Sequence, residues 1–178
     1  MINKFKIIRS CTNNKPKKDV KPFNKRKIDI IIFFEKYKDF DYSKQGIQLL
    51  KLFYKTSKTI KRIEYGNYTK EKMKYLANNS QFIIYFSFFD TGAIGLKEIQ
   101  NYGVFTFSHQ KDLIVYIAIG FYVPELANKK NIYKAYKIIM EKIEIITNLN
   151  PNSQSLVKIN QKINKCKKAL NDLCESIL

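Results

Sequence analysis

The chain has 178 residues, 45% of them hydrophobic and 14% aromatic, which excludes a disordered protein and predicts one globular domain. Its 33 basic and 15 acidic residues give a formal net charge of +18. The lysines are scattered along the chain. This favours a compositional bias over a dedicated nucleic-acid surface, which would gather its basic residues on one face.

The N-terminal segment, residues 1–27, is polar and basic and is interrupted by Pro16 and Pro22. This pattern predicts a linker, or the remnant of an upstream domain. Residues 28–150 have the regular pattern of a folded domain, and residues 151–178 are predicted to add a C-terminal helix.

Five segments have the composition of buried strands. The first, residues 28–34 (IDIIIFF), is a β-branched and aromatic run, and residues 81–87 (QFIIYFS) are the most apolar part of the chain. The other three predicted strands are residues 59–65, 104–107 and 121–123.

Helical periodicity separates these strands. Ser43 and Thr69 are predicted to cap the first two helices, and Gly103 to end a short helix over residues 96–102. Residues 131–146 and 154–176 are predicted to form the last two helices. The residues expected on the inner faces of the first two helices are Ile47, Leu50, Phe53, Tyr54, Met73, Leu76 and Ala77.

This alternation predicts an α/β fold, a Rossmann-like parallel sheet with helices on both faces. Ligands of such sheets bind beyond the carboxyl ends of the strands, at the point where the strand order reverses. The segments that follow Phe34, Tyr65, Ser87 and Ser108 are therefore the candidates for a functional site.

Residues 87–98 are the richest of these segments, because a buried strand leads through a glycine-containing turn into a helix. Free N–H groups at a helix start can hold a phosphate, and glycines let a ligand approach the backbone. Asp90 precedes this helix and Glu98 lies one turn into it. Acidic residues at a helix start also serve as ordinary caps.

The segment resembles the donor-site motif of GT-B glycosyltransferases of family 4, in which two acidic residues are separated by seven others. Asp90 and Glu98 have this separation, with Asp in place of the first Glu. The strand QFIIYFS and the following GAIGLKEIQNYGVFTF match the family's apolar strand and its glycine-containing helix in order. The resemblance covers roughly residues 28–146 and implies the C-terminal, donor-binding half of such an enzyme.

The resemblance also implies roles for individual residues. Glu98 would hydrogen-bond the ribose of the donor, and Asp90 would contact the sugar or support charge at its anomeric carbon. Lysines after the first strand would bind the diphosphate, although the same lysines can be ordinary solvated ones. The residues implied in binding the donor are Lys36, Lys38, Lys44, Gly92, Ala93, Ile94, Gly95, Leu96 and Glu98.

Two further residues follow predicted strands. Tyr68, after the second strand, could stack on the base of the nucleotide or simply belong to a turn. His109, the only histidine, could touch the sugar or be a solvated loop residue.

The implied function is transfer of a sugar from a nucleotide-sugar donor to an unknown acceptor, with no metal and no further cofactor. The chain is only long enough for one half, so the acceptor-binding N-terminal half would belong to another segment or polypeptide. The alternatives are a catalytically degenerate glycosyltransferase-like binding module, and a basic polyanion-binding protein with peripheral membrane contact. Nucleic acid is the least favoured partner.

The three cysteines include no C-x-x-C pair, and with a single histidine they predict no zinc site. No apolar run reaches the ~18 residues of a membrane span, and the N-terminus lacks the apolar core of a signal peptide. The sequence therefore predicts a cytoplasmic protein.

Overall fold

The computed structural model describes residues 19–34, 42–64, 66–86, 94–109, 120–159 and 162. These residues form an α/β fold whose five-stranded sheet is parallel throughout, in the order β2-β1-β3-β4-β5. The predicted Rossmann-like fold class is confirmed. The strands are β1 (Ile28–Phe34), β2 (Ile60–Glu64), β3 (Ser80–Phe86), β4 (Phe105–Ser108) and β5 (Gly120–Tyr122).

Helices cover both faces of the sheet. They are α1 (Tyr42–Phe53), α2 (Lys70–Asn79), α3 (Ile94–Gln100) and α4 (Ile132–Leu149), and residues 153–159 are also helical. Short 3-10 turns occur at Phe23–Lys25, Pro124–Ala127 and Lys129–Asn131. In the part of the chain described, no helix combines the length and the apolar character needed to cross a bilayer.

The two central strands are buried on both sides, because their apolar side chains alternate between two cores. Ile30 and Ile32 of β1 face the core shared with α1 and α4. Ile31 and Phe33 face the core shared with α2, α3 and residues 153–159. A continuous apolar run such as residues 30–34 of β1 is typical of a strand with helices over both faces of the sheet.

The inner face of α1 differs from the sequence prediction. Leu50 and Phe53 are buried as predicted, but Ile47 is 38% exposed and Tyr54 62% exposed, so the prediction is wrong for these two residues. Leu49, which the prediction left out, is completely buried. The helix is apolar on several sides, so its periodicity alone does not select the buried face.

The start of α2 follows the prediction. The Thr69 hydroxyl accepts a hydrogen bond from the Lys72 N–H at 3.2 Å, which caps the helix. Met73, Leu76 and Ala77 are buried beneath it. The same cap lowers the pKa of Glu71, through hydrogen bonds from its own backbone N–H and from Thr69.

The turn after α3 depends on Gly103. This residue has φ +68°, a left-handed conformation that favours glycine, and its N–H donates to the Gln100 carbonyl at 2.8 Å. The helix itself begins at Ile94, two residues before the predicted start, and ends at Gln100.

The described parts of the two terminal segments, residues 19–27 and 151–159, pack onto the domain. Phe23 is 2% exposed and Arg26 7% exposed, so the packed unit begins earlier than the predicted boundary at Ile28. At the other end, Leu156 and Val157 are buried, whereas Ile159 is 46% exposed. Residues 19–27 and 151–159 are therefore integral to the fold.

Candidate functional site at the carboxyl edge of the sheet

The strand order reverses between β1 and β3. From β1 the chain passes to α1 on one face of the sheet, whereas from β3 it passes to α3 on the opposite face. Phe34 pairs with Phe86 in the last row of the sheet, at the carboxyl ends of these two strands. Doubly wound sheets bind their ligands beyond the carboxyl ends of the strands at this switch point. The geometry therefore indicates the same edge of the sheet as the sequence analysis.

Several predicted site residues lie in the connecting segments, 35–41 and 87–93. These residues lie outside the described part of the chain, so their predicted roles stay predictions. They are Lys36, Lys38, Asp90, Gly92 and Ala93.

Tyr68 and Gly95, predicted separately, lie against each other. The Tyr68 ring packs edge-on against Phe33 of β1, with 6.2 Å between ring centroids. A Cβ atom placed on Gly95 would lie 3.7 Å from the Tyr68 hydroxyl. The loop after β2 therefore reaches across β1 to the first turn of α3. Phe33 also stacks on Tyr85 of β3, with 4.9 Å between ring centroids. Three aromatic rings therefore lie in contact near this edge of the sheet.

In the first turn of α3, the main chain lies at this edge and the Leu96 side chain faces the core. Ile94, Gly95 and Leu96 lie in the turn whose N–H groups have no acceptor within the helix. The Leu96 side chain is 1% exposed and packs beneath α3, which fixes the helix on the sheet. Gly95 is half-exposed, so the main chain of α3 can be approached closely at this point of the edge.

Glu98 lies about one turn into α3, as the sequence predicted, although the helix begins earlier than expected. Because the helix begins at Ile94, Glu98 is its fifth residue, about 6 Å along the axis from the first. The side chain is half-exposed. Burial raises the pKa of Tyr102, and the charge of Glu98, four residues earlier, raises it further. Glu98 therefore lies on the flank of α3, where it can meet a ligand that extends down the helix from the edge.

On the other face of the sheet, Lys44 lies in the first turn of α1 and is exposed. Its neighbour Gln45 is buried, a feature that the sequence analysis missed. With its amide oriented to satisfy both partners, Gln45 donates to the Leu126 carbonyl at 3.0 Å and accepts from the Lys129 N–H at 3.1 Å. This buried amide joins the start of α1 to the segment that follows β5 and fixes Lys44 at the carboxyl edge.

His109 comes directly after the last residue of β4 and is only 9% exposed. The prediction of a solvated loop histidine is wrong. Its ring lies beside Phe86, with 6.4 Å between centroids. Burial lowers the pKa of His109 to about 4, so the imidazole is neutral at physiological pH. A neutral imidazole can both donate and accept hydrogen bonds.

Across the described ranges, no three His, Cys, Asp or Glu side chains come close enough together to hold a metal ion. The carboxyl edge instead combines backbone N–H groups, tyrosines, a lysine and a neutral histidine. Such a set can bind a polar anionic ligand through hydrogen bonds and charge.

Comparisons of this chain with protein-family models, with curated proteins and with solved structures find no match.

Proposed function

We propose that this chain is the donor-binding domain of a glycosyltransferase, which transfers a sugar from a nucleotide-sugar to an acceptor. The observation that carries the proposal is the contact between Tyr68 and Gly95 at the switch point of the sheet. It joins an aromatic ring to the start of a helix whose sequence resembles the GT-B donor motif. An aromatic ring and free N–H groups are what a base and a diphosphate require.

The proposed chemistry depends on charge at the carboxyl edge. When the bond between sugar and diphosphate breaks, negative charge develops on the departing nucleoside diphosphate. N–H groups of Gly95 and Leu96 and the ammonium group of Lys44 would stabilise this charge. Glu98 would accept hydrogen bonds from the ribose hydroxyls, and Asp90 would act on the sugar.

Calorimetric titration with UDP, GDP and ADP tests the binding step. We expect at least one of them to bind and Glu98→Gln to weaken its Kd by about 10- to 100-fold, the loss of hydrogen bonds to a charged group. Glu144→Gln is the matched control, since Glu144 is exposed on α4. If none of the three nucleotides binds, or if the two variants behave alike, the proposal fails.

A second assay separates an enzyme from a degenerate binding module. Hydrolysis or transfer of the sugar from a bound donor, measured with and without a supplied N-terminal Rossmann-like half, would support an enzyme. Nucleotide binding without either reaction would support the binding module.

A second candidate function is binding to a polyanionic surface, such as the face of an acidic membrane. It is favoured by the outer side of α1, where Lys44, Lys51 and, just after the helix, Lys55 are exposed. The helix contains no acidic residue, and Ile47 and Tyr54 are exposed beside these lysines. Lysines with apolar neighbours suit the interface of an anionic bilayer.

Vesicles that contain phosphatidylserine test this candidate. The double variant Lys51→Gln, Lys55→Gln should bind the vesicles with an affinity lower by roughly 10-fold or more, because each lysine near an anionic surface contributes about 1 kcal/mol. Co-sedimentation with the vesicles measures this affinity. Lys72→Gln with Lys74→Gln, exposed on α2, removes the same charge from the opposite face of the sheet. Equal losses in the two pairs would indicate only the effect of net charge.

A further inference from the structure

Arg26 is a buried cation at the amino edge of the sheet, opposite the proposed donor site. Its guanidinium donates to the carbonyls of Ser80 at 2.6 Å and Gly103 at 3.4 Å, to the carbonyl of Tyr102, and to the Ser153 hydroxyl at 3.2 Å. The Nε–H group donates to the Lys21 carbonyl at 3.3 Å. Among the described residues, every oxygen that it is shown to contact is uncharged.

The burial of this charge has a measurable consequence. Removal from water lowers the pKa of Arg26 to about 10, which still leaves the guanidinium charged at physiological pH. A planar group with five donors can satisfy several carbonyls at once, whereas an ammonium group cannot reproduce that geometry. The site therefore requires arginine specifically.

The acceptors of the two Arg26 Nη groups belong to three parts of the chain. Ser80 begins β3, whereas Tyr102 and Gly103 form the turn that ends α3 and leads into β4. Ser153 begins the last described helical segment. One side chain thus joins the segment before β1 to the far end of α3.

We infer that Arg26 is a positioning residue for the carboxyl edge: it fixes the end of α3 and thereby sets where Gly95 lies against Tyr68. This inference rests on the proposed function for its consequence in binding. Seven residues make about two turns, too few for a helix to be stable alone, so α3 depends on contacts with the rest of the fold. Leu96 and Ile99 anchor one side of α3, and the turn held by Arg26 anchors its end.

Amide hydrogen exchange in the full chain tests the positioning. Arg26→Met keeps an unbranched side chain but removes all five donors. We expect amides of α3 to exchange at least 10-fold faster in this variant than in the parent chain, with a smaller change in α4. Ile143→Ala is the control, because Ile143 is buried under α4 in the other core. In that variant the larger acceleration should fall on α4.

Arg26→Lys provides a second variant that retains the charge and part of the hydrogen bonding. We expect the α3 amides of this variant to exchange at rates between those of the parent chain and those of Arg26→Met. If Arg26→Met does not fold, Arg26→Lys is used for the test in its place. Equal acceleration of α3 and α4 in both Arg26 variants would overturn the inference and leave only a general effect on stability.

UDP titration of the same variants tests the link to binding. We expect Arg26→Met to weaken the Kd by about 10-fold under conditions in which Ile143→Ala, equally folded, binds as the parent does. Loosened α3 amides with unchanged affinity would overturn the link. If the parent chain does not bind UDP, GDP or ADP, the proposed function fails, and the exchange pattern still decides whether Arg26 positions α3.

Discussion

The two edges of the sheet are built in opposite ways. At the amino edge, Arg26 and Gly103 lie in a buried region in which carbonyls from distant segments share one guanidinium. At the carboxyl edge, the described polar groups of Lys44 and Glu98 are exposed or half-exposed, and Gly95 leaves the backbone accessible.

This difference separates stability from binding. Buried donors and acceptors that satisfy one another stabilise the fold and have little capacity left for a ligand. Groups at an open edge add less to stability and can be satisfied by a ligand instead. Substitutions at the amino edge should therefore mainly lower the stability of the fold, and those at the carboxyl edge should mainly change what the protein binds.

The largest effect is expected at Gly103. Alanine there would hold a left-handed φ, and its Cβ would lie 3.1 Å from the Ser153 carbonyl oxygen and 3.2 Å from the Leu156 Cβ. The strain and the overpacking together should lower the free energy of unfolding by about 2–4 kcal/mol. Urea denaturation measures this loss. A change below roughly 0.5 kcal/mol, the usual scatter of surface substitutions, would contradict the description of the amino edge.

An intermediate effect is expected from His109, which is buried although it lies at the carboxyl edge. The pKa falls from 6.5 to about 4 on folding, so only the unfolded chain takes up the proton between these values. The stabilisation is therefore complete above pH 6.5 and is lost as the pH falls toward 4. At about 1.4 kcal/mol per pH unit, roughly 2 kcal/mol should be lost between pH 6.5 and pH 5.

Urea denaturation at a series of pH values measures this slope. His109 is the only histidine, so His109→Asn should remove most of the slope above pH 5, where carboxylates contribute little. An unchanged slope in the variant would mean that another group is responsible and that His109 is more solvated than the fold implies.

The smallest effect on stability is expected at Gly95. A methyl group would meet the Tyr68 hydroxyl at 3.7 Å, an ordinary contact, and alanine favours a helix over glycine. Gly95→Ala should raise the free energy of unfolding by about 0.5 kcal/mol. The same methyl group should weaken UDP binding several-fold, because a phosphate held by the Gly95 N–H would have to fit beside both the methyl group and the Tyr68 hydroxyl. Loss of stability together with binding would remove the distinction between the two edges.

Much of the fold could be predicted because its two central strands contain continuous apolar runs, residues 30–34 of β1 and 82–86 of β3. Ile30 and Ile31 point to opposite faces and both are completely buried, which only a doubly covered parallel sheet allows. The caps at Thr69 and Gly103 could be predicted for a similar reason, since each depends on a property of a single residue type.

The features that could not be predicted depend on tertiary contacts, which the pattern of side chains along the sequence does not indicate. Arg26 looked like one of many basic residues in a linker, because its partners are mainly backbone carbonyls and these leave no trace in a sequence. The face of α1 was ambiguous because apolar residues surround the helix, and packing against α4 selected Leu49 over Ile47. For the candidate site, the sequence could select Tyr68 and Gly95 but not the contact between them.

The most direct test of the proposed donor site is the map of backbone amide chemical shifts on addition of saturating UDP. The account predicts that the largest changes fall on Tyr68, Gly95, Leu96 and Glu98, with Gly103 and Ser153 unchanged. Changes confined to the amino edge, or no changes at all, would contradict it.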